Sequence, residues 1–423
     1  MLDLKYILAH PDEVRENCTN RNVKADVDRV MELAAERSSL IQGADGLRHE
    51  QKAAAKRIGQ ASPEERPAMI AAVGDIKTRI AAQEARLKEL ETELGQEARR
   101  IPNMTHPDSP VGRVEEESVE IRQVGERRSF DFPVRDHVEI GEQHDLIDFA
   151  AGSKVAARNF YFLKNEAVLM ELGLVRFALD RLAQRGYRPV MTPDVARVDV
   201  LDGVGFTPRG DESQIFTLEG TDLGLIATAE ITLAGMLQDE ILNGEELPLR
   251  FAGVSHCFRR EAGAHGKASK GLYRVHQFTK IEMFAFTRPD ESVAVHDEML
   301  GLEEQINADL GLPYRVLDIC TGDMGGPAYR KYDIEVWMPG RGDAGEWGEV
   351  TSTSNCTDYQ ARRLGIRYRP EKGAKPSLVH TLNGTAIAVS RTLLALLENY
   401  QQADGSVLIP ESLQPYVGKE KIG

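Results

Sequence analysis

The run FRRE sets two guanidinium groups, Arg259 and Arg260, beside the Glu261 carboxylate, and HQFTKIE follows with Phe278, Lys280 and Glu282. Glu349 and Ser352 share EVTS, Arg391 closes NGTAIAVSR, and Thr228, Ala229 and Glu230 form TAE. Guanidinium forks hold carboxylates and phosphates, so nucleotide signatures are tested first. A P-loop fails, because no glycine stands five positions before Gly266 of HGKAS. A dinucleotide fold has no GxGxxG after an expected strand. Taken singly, each group also has a plain structural explanation. Arg259 and Glu261 would make a surface ion pair, Lys280 and Glu282 another on one strand face, and Glu349 a solvated loop carboxylate.

Residues with this chemistry need a sizeable scaffold, and 423 residues exceed one ordinary domain, so two units are expected. Cys18, Cys257, Cys320 and Cys356 are far apart and form no CxxC pair, so buried free thiols are expected, and no zinc. The N-terminus carries Asp3, Asp12 and Glu13 and lacks a basic n-region, and no apolar run could span a membrane. A cytoplasmic location and no membrane partner are the expectation. Net charge of −15 argues against nucleic acid for the chain as a whole. Residues 26–100, however, hold 13 Lys/Arg against 14 Asp/Glu, so nearly all the acidity lies elsewhere.

That same segment has a seam. Val30, Leu33, Arg37, Leu40, Ala44, Leu47, Gln51, Ala54 and Ile58 recur at alternating spacings of three and four. After a break at GQASPEERP the alternation resumes at Met69, Val73, Ile76, Ile80, Gln83, Leu87, Leu90 and Leu94. Two such seams joined by a turn predict an antiparallel helical hairpin, an arm of about 45 Å. Arg48, Lys52 and Lys56 share one face of its first helix. The stripe is either a solvated face or a track for phosphates.

The arm ends at the proline-rich IPNMTHPDSPVG. Beyond it the spacing predicts a helix over 160–185, strands at RPVMTP, LRFAGVSHCFR, LYRVHQFTKIEMFAF and YDIEVWMP, and a final helix from Thr385 to Tyr400. The fold class expected is α+β: a helical hairpin over 26–100 within an N-terminal domain of 1–105, then a domain of 106–423 with an antiparallel sheet flanked by helices.

KASKG at Lys267 to Gly271 looks like the adenylate loop of class I synthetases, but no two of the ten histidines are three apart, as that class requires. The separated segments fit another pattern. FRREAGAHGKASKGLYRVHQFTKIEMF resembles motif 2 of class II aminoacyl-tRNA synthetases, GYRPVMTP ending on Pro193 resembles motif 1, and NGTAIAVSRTLLALLENYQ resembles motif 3. TAE, HQFTKIE, EVTSTSNCTDYQARR, TLNGT and the hairpin are similar to the bacterial-type seryl-tRNA synthetase family, across nearly the whole chain.

The resemblance implies activation of L-serine by ATP with Mg²⁺, then transfer to tRNA(Ser), and to tRNA(Sec) where present. It implies catalytic roles for Arg259, Glu261 and Arg391. ATP would meet Arg259, Arg260, Glu261, Arg274, Val275, Phe278, Glu349, Val350, Thr351, Ser352 and Arg391, with adenine between Phe278 and Arg391 and its amino group on Glu261. Glu261, two residues on from Arg259 along a strand, would point the same way. Glu349 and Ser352 would hold the magnesium. Serine would meet Thr228, Ala229, Glu230, Arg259, Glu282 and Thr385, and Arg48, Lys52 and Lys56 would meet tRNA. Motif 1 implies a homodimer.

Three departures bear on affinity: Thr385 where the family often has Ser, Ala386, Ala388 and Ser390 in place of a Gly-rich run, and the Gly-rich PGRGDAGEWGE before EVTS. The alternatives are a paralogue that loads a carrier protein, a non-catalytic binding module, and an antibiotic-resistant duplicate of the same enzyme. Acceptance of the activated residue by tRNA or by a carrier thiol separates the first from a synthetase.

Overall fold

This computed structural model describes residues 1–206, 214–261 and 270–423. The chain forms two compact units, Met1–Pro102 and Asn103–Gly423.

The first unit opens with two short helices, Leu4–Ala9 (α1) and Pro11–Asn20 (α2), and is dominated by Val27–Ile58 (α3) and Arg66–Arg100 (α4), which pack along each other. Asp26 caps α3 by accepting from the Arg29 amide at 2.8 Å. Every residue of both expected seams is buried or half-buried. Where the seam carries Arg37 instead of an aliphatic residue, its guanidinium reaches Glu91 across the hairpin at 2.9 Å. Pro67 falls in the first turn of α4 and starts the helix rather than breaking one, since a proline there lacks only an amide that would go unbonded.

The second unit is built on an eight-stranded sheet. In chain order its members are Val119–Val124 (β1), Arg188–Met191 (β2), Leu249–Phe258 (β3), Gln277–Thr287 (β4), Tyr314–Asp318 (β5), Arg330–Met338 (β6), Glu346–Asn355 (β7) and His380–Ala388 (β8). They lie in the order β1-β5-β6-β7-β8-β4-β3-β2. All neighbours are antiparallel except β2, an edge strand parallel to β3. Around the sheet stand Glu166–Gln184 (α5), Val198–Val204 (α6), Ala229–Gly235 (α7), Ser292–Asp309 (α8), Tyr359–Leu364 (α9) and Val389–Asn399 (α10). The expected final helix is shorter than its apolar pattern, because Thr385 to Ala388 continue β8 before α10 begins.

Alternation along the strands gives the sheet two distinct faces. Thr279 of β4 donates to Glu171 of α5 at 2.5 Å, and Thr353 and Thr351 of β7 reach Met299 and Glu303 of α8. The neighbouring residues Lys280, Glu282, Ser352 and Ser354 face the other way, into a cavity.

Candidate active site

The cavity encloses about 460 Å³ on that second face. Two β-bulges decide what enters it. In β7, Thr351 pairs with Ile334 and Glu349 with Glu335, so Val350 is an extra residue. Strict alternation would put Glu349 and Ser352, three apart, on opposite faces; the bulge puts both into the cavity. In β8, Thr385 pairs with Glu282 and Ile387 with Ile281, and the extra Ala386 lets Thr385 and Ala388 share the cavity face.

One end of the cavity is cationic. Arg391 of α10 donates to the Glu349 carbonyl at 2.9 Å, pairs with its carboxylate at 3.1 Å and lies 4.7 Å over the Tyr273 ring. Burial opposes the charge on Glu349, but Arg391, then Lys331 and Arg259, outweigh burial and hold its carboxyl well below the usual carboxylate range. Arg274 pairs with Glu261 at 3.0 Å and keeps its buried Nε without a hydrogen-bond partner among the described residues. Arg259 stands 5.3 Å over the Phe278 ring and donates to the Ala227 carbonyl at 3.3 Å.

The other end is acidic and hydroxylic. Glu282, 2 % exposed, pairs with Lys280 at 2.6 Å and accepts from Thr385 Oγ1 at 3.3 Å. Glu230 follows Thr228, the N-cap of α7. Burial, joined by the charge of Glu282, pushes the Glu230 carboxyl up to about 7 against the pull of Gln360, Lys280 and Arg259.

A cationic end joined to an acidic, hydroxyl-lined end suits a nucleotide and a small amino acid side by side. The comparisons give that pairing a family. Residues 1–105 match the seryl-tRNA synthetase N-terminal domain, and residues 216–400 match the tRNA synthetase class II core domain (G, H, P, S and T). A serine–tRNA ligase of Rubrobacter xylanophilus is 61% identical over 424 residues, covering 100% of this chain and 99% of that one. The chain belongs to the seryl-tRNA synthetase family.

Solved structures of seryl-tRNA synthetases agree in fold. The Pyrococcus horikoshii enzyme complexed with ATP matches with a TM-score of 0.93 at 41% identity, covering 100% of this chain and 99% of that one. The cytoplasmic serine–tRNA ligase of Naegleria fowleri in complex with AMP matches at 0.87 and 34%, covering 100% and 98%.

Of the residues singled out from sequence, Thr228, Glu230, Arg259, Glu261, Arg274, Val275, Phe278, Glu282, Glu349, Val350, Thr351, Ser352, Thr385 and Arg391 line this one synthetase cavity. Ala229 and Arg260 do not. Ala229 is wholly buried in the apolar layer against β3, and Arg260 is exposed. Glu261 reaches the cavity by a different route from the one expected: β3 ends at Phe258, and Glu261 takes a left-handed φ of 50° past the strand. Its ion-pair partner is Arg274, not Arg259. Arg391 finds its aromatic neighbour in Tyr273. The ion pair of Lys280 and Glu282 does form, and it forms inside the site. Most of the KASKG segment lies outside the described residues. All four cysteines are buried, as expected.

Asn383 and Tyr273 also line the cavity, and neither is among the residues expected from the sequence. Asn383 stands two residues before Thr385 on β8, so strand alternation sets both on the cavity face, although the sequence pattern had Thr385 opening a helix. In the first unit Arg48 pairs with Asp45 and Glu84, while Lys52 and Lys56 are exposed.

Proposed function

We propose that the cavity joins ATP and L-serine with Arg259 between them. One observation carries this: Arg259, 5.3 Å over the Phe278 ring, lines the same cavity as Glu349 at the cationic end and Glu230 and Glu282 at the acidic end. As a serine–tRNA ligase the chain activates serine with ATP and esterifies tRNA. In the first step a serine carboxylate oxygen attacks the α-phosphorus, and the bond to pyrophosphate breaks. Little covalent work falls to the protein, so placement and fixed charge dominate. The Arg259 fork holds the serine carboxylate and the α-phosphate together. Arg391 and Arg274 face the charge that develops on the phosphates, and Phe278 stacks on the adenine with Glu261 near its amino group. Glu282 and Glu230 take the ammonium, while Thr228 and Thr385 frame the side-chain hydroxyl. In the second step a terminal tRNA hydroxyl attacks the adenylate carbonyl and AMP leaves.

Magnesium fits the oxygens present, one carboxylate and one hydroxyl brought to one face by the bulge at Val350, with the carboxylate kept charged. Glu349 and Ser352 would hold it, and the ion neutralises phosphate charge when bound.

The N-terminal domain serves tRNA(Ser), and tRNA(Sec) where a cell makes one, with Lys52, Lys56 and Arg48 meeting phosphates. A homodimer is supported by exposed apolar side chains: Met191 on β2, the motif 1 strand, and Val168, Leu169 and Leu172 on α5, the helix that leads into it. The cytoplasm is the proposed location, and among the described residues no helix is long and apolar enough to cross a membrane. The carrier-loading alternative gains no support, since the arm's domain is matched over residues 1–105, and nothing favours a binding module or a resistance-type duplicate. With ATP, magnesium, labelled serine and tRNA, the chain should form seryl-tRNA and AMP. Labelling of a carrier thiol without labelling of tRNA would overturn the reading.

A further inference from the structure

Gln360 of α9 has no exposed surface, and both ends of its amide are occupied. Oε1 accepts from the Thr381 hydroxyl at 2.7 Å, while Nε2 donates to Glu230 Oε1 at 2.6 Å and to the Val204 carbonyl at 3.2 Å. A reversed amide would set Oε1 against a carboxylate and a carbonyl, both acceptors, so these partners fix its orientation. Asn383 Nδ2 donates to the same Glu230 oxygen at 3.0 Å. Glu230 Oε1 therefore receives two donors, and Oε2 meets none among the described residues.

We propose that Gln360 is a positioning residue of the amino-acid pocket: by engaging Oε1 it leaves Glu230 Oε2 as a charged acceptor for the ligand's ammonium and sets the pH range of binding. The proposal rests on the reading of Glu230 as a serine contact.

The groups that face Glu230 are Glu282 and Lys280 on β4, Arg259 past β3, Asn383 on β8 and Gln360 on α9. Burial and Glu282 drive its carboxyl toward the neutral form, and Gln360 is the strongest of the groups that oppose them. Without that donor the carboxyl would keep its proton to higher pH, and a neutral acid does not pair with an ammonium.

The test uses the full chain and serine-dependent pyrophosphate exchange across the pH range. Gln360→Met should move the ascending limb of kcat/KM for serine up by about one pH unit and raise the serine KM near neutral pH roughly tenfold. The ATP KM should stay put. Thr381→Val removes the anchor of the amide and should shift the limb the same way by less, which keeps the test open if Gln360→Met does not fold. A limb unmoved in the folded variants, or an ATP KM that rises as far as that of serine, overturns the proposal. Glu230→Ala separates the two readings. If it leaves the serine KM at wild type, Glu230 is not the serine contact; if it raises that KM while Gln360→Met does not, only the role of Gln360 falls.

Discussion

Lys280 Nζ stands 2.6 Å from Glu282 Oε2, both buried on the cavity face of one strand, with Glu282 directly opposite Thr385. On the function proposed above, this one carboxylate serves both the ion pair and the serine ammonium. Glu282→Ala should raise the serine KM steeply with little change for ATP, and leaving Lys280 buried and unpaired should cost about 3 kcal/mol of stability. The double variant with Lys280→Met should recover stability but not serine binding. Normal serine kinetics in either variant would reduce the pair to scaffolding.

Glu230 makes stability and function oppose each other. Its carboxyl is held up to about 7, above the 4.5 of an unperturbed glutamate. Between those values the folded chain keeps a proton that the unfolded chain has lost, so stability falls as pH rises through the window, by about 3 kcal/mol in all. Glu230→Gln should stabilise the protein at about pH 8 and change little at about pH 4.5, while serine activation drops. Urea midpoints at the two pH values check the sign; an equal effect at both would refute it.

The heptad seams were readable because a period of 3.5 leaves little choice of partner, and Arg37 held its place by pairing with Glu91. The long strands were readable from their β-branched and aromatic runs. The bulges at Val350 and Ala386 were not, since one inserted residue leaves no compositional trace yet turns every later side chain over. Glu261 misled for the same reason, because a strand's alternation was extended past its last residue. Gln360 was hidden inside QARR as one more helical polar residue, and only packing shows its amide against Glu230.

The arm should be separable from the chemistry. Deleting residues 26–100 and joining the ends should leave serine-dependent exchange intact and abolish most tRNA charging. Since Arg48 is already paired with Asp45 and Glu84, neutralising Lys52 and Lys56 should weaken tRNA binding more than Arg48→Ala. For each lysine that meets a phosphate, its neutralisation should reduce the salt dependence by about one log-log unit. Undiminished charging by the deletion variant would show that the arm does not serve tRNA.

The exposed apolar side chains of α5 and of β2, the motif 1 strand, should form a subunit contact. Leu172, 63% exposed on α5, and Met191, 84% exposed on β2, are large apolar side chains turned to solvent, which a subunit contact would cover. Replacing both by Glu should convert a dimer into monomers in sedimentation. A wild-type chain that is monomeric and fully active at micromolar concentration would contradict the dimer.

The central claim is that one cavity activates serine by joining it to ATP through Arg259, and amino-acid-dependent pyrophosphate exchange reads that step alone. Serine should exceed alanine by at least about a thousandfold, because a pocket built for a hydroxyl leaves buried polar groups unpaired without it. Threonine should be rejected for lack of room. Arg259→Ala should slow the serine reaction about a hundredfold with the fold intact. Comparable exchange with alanine or threonine, or a wild-type rate in Arg259→Ala, would contradict that claim.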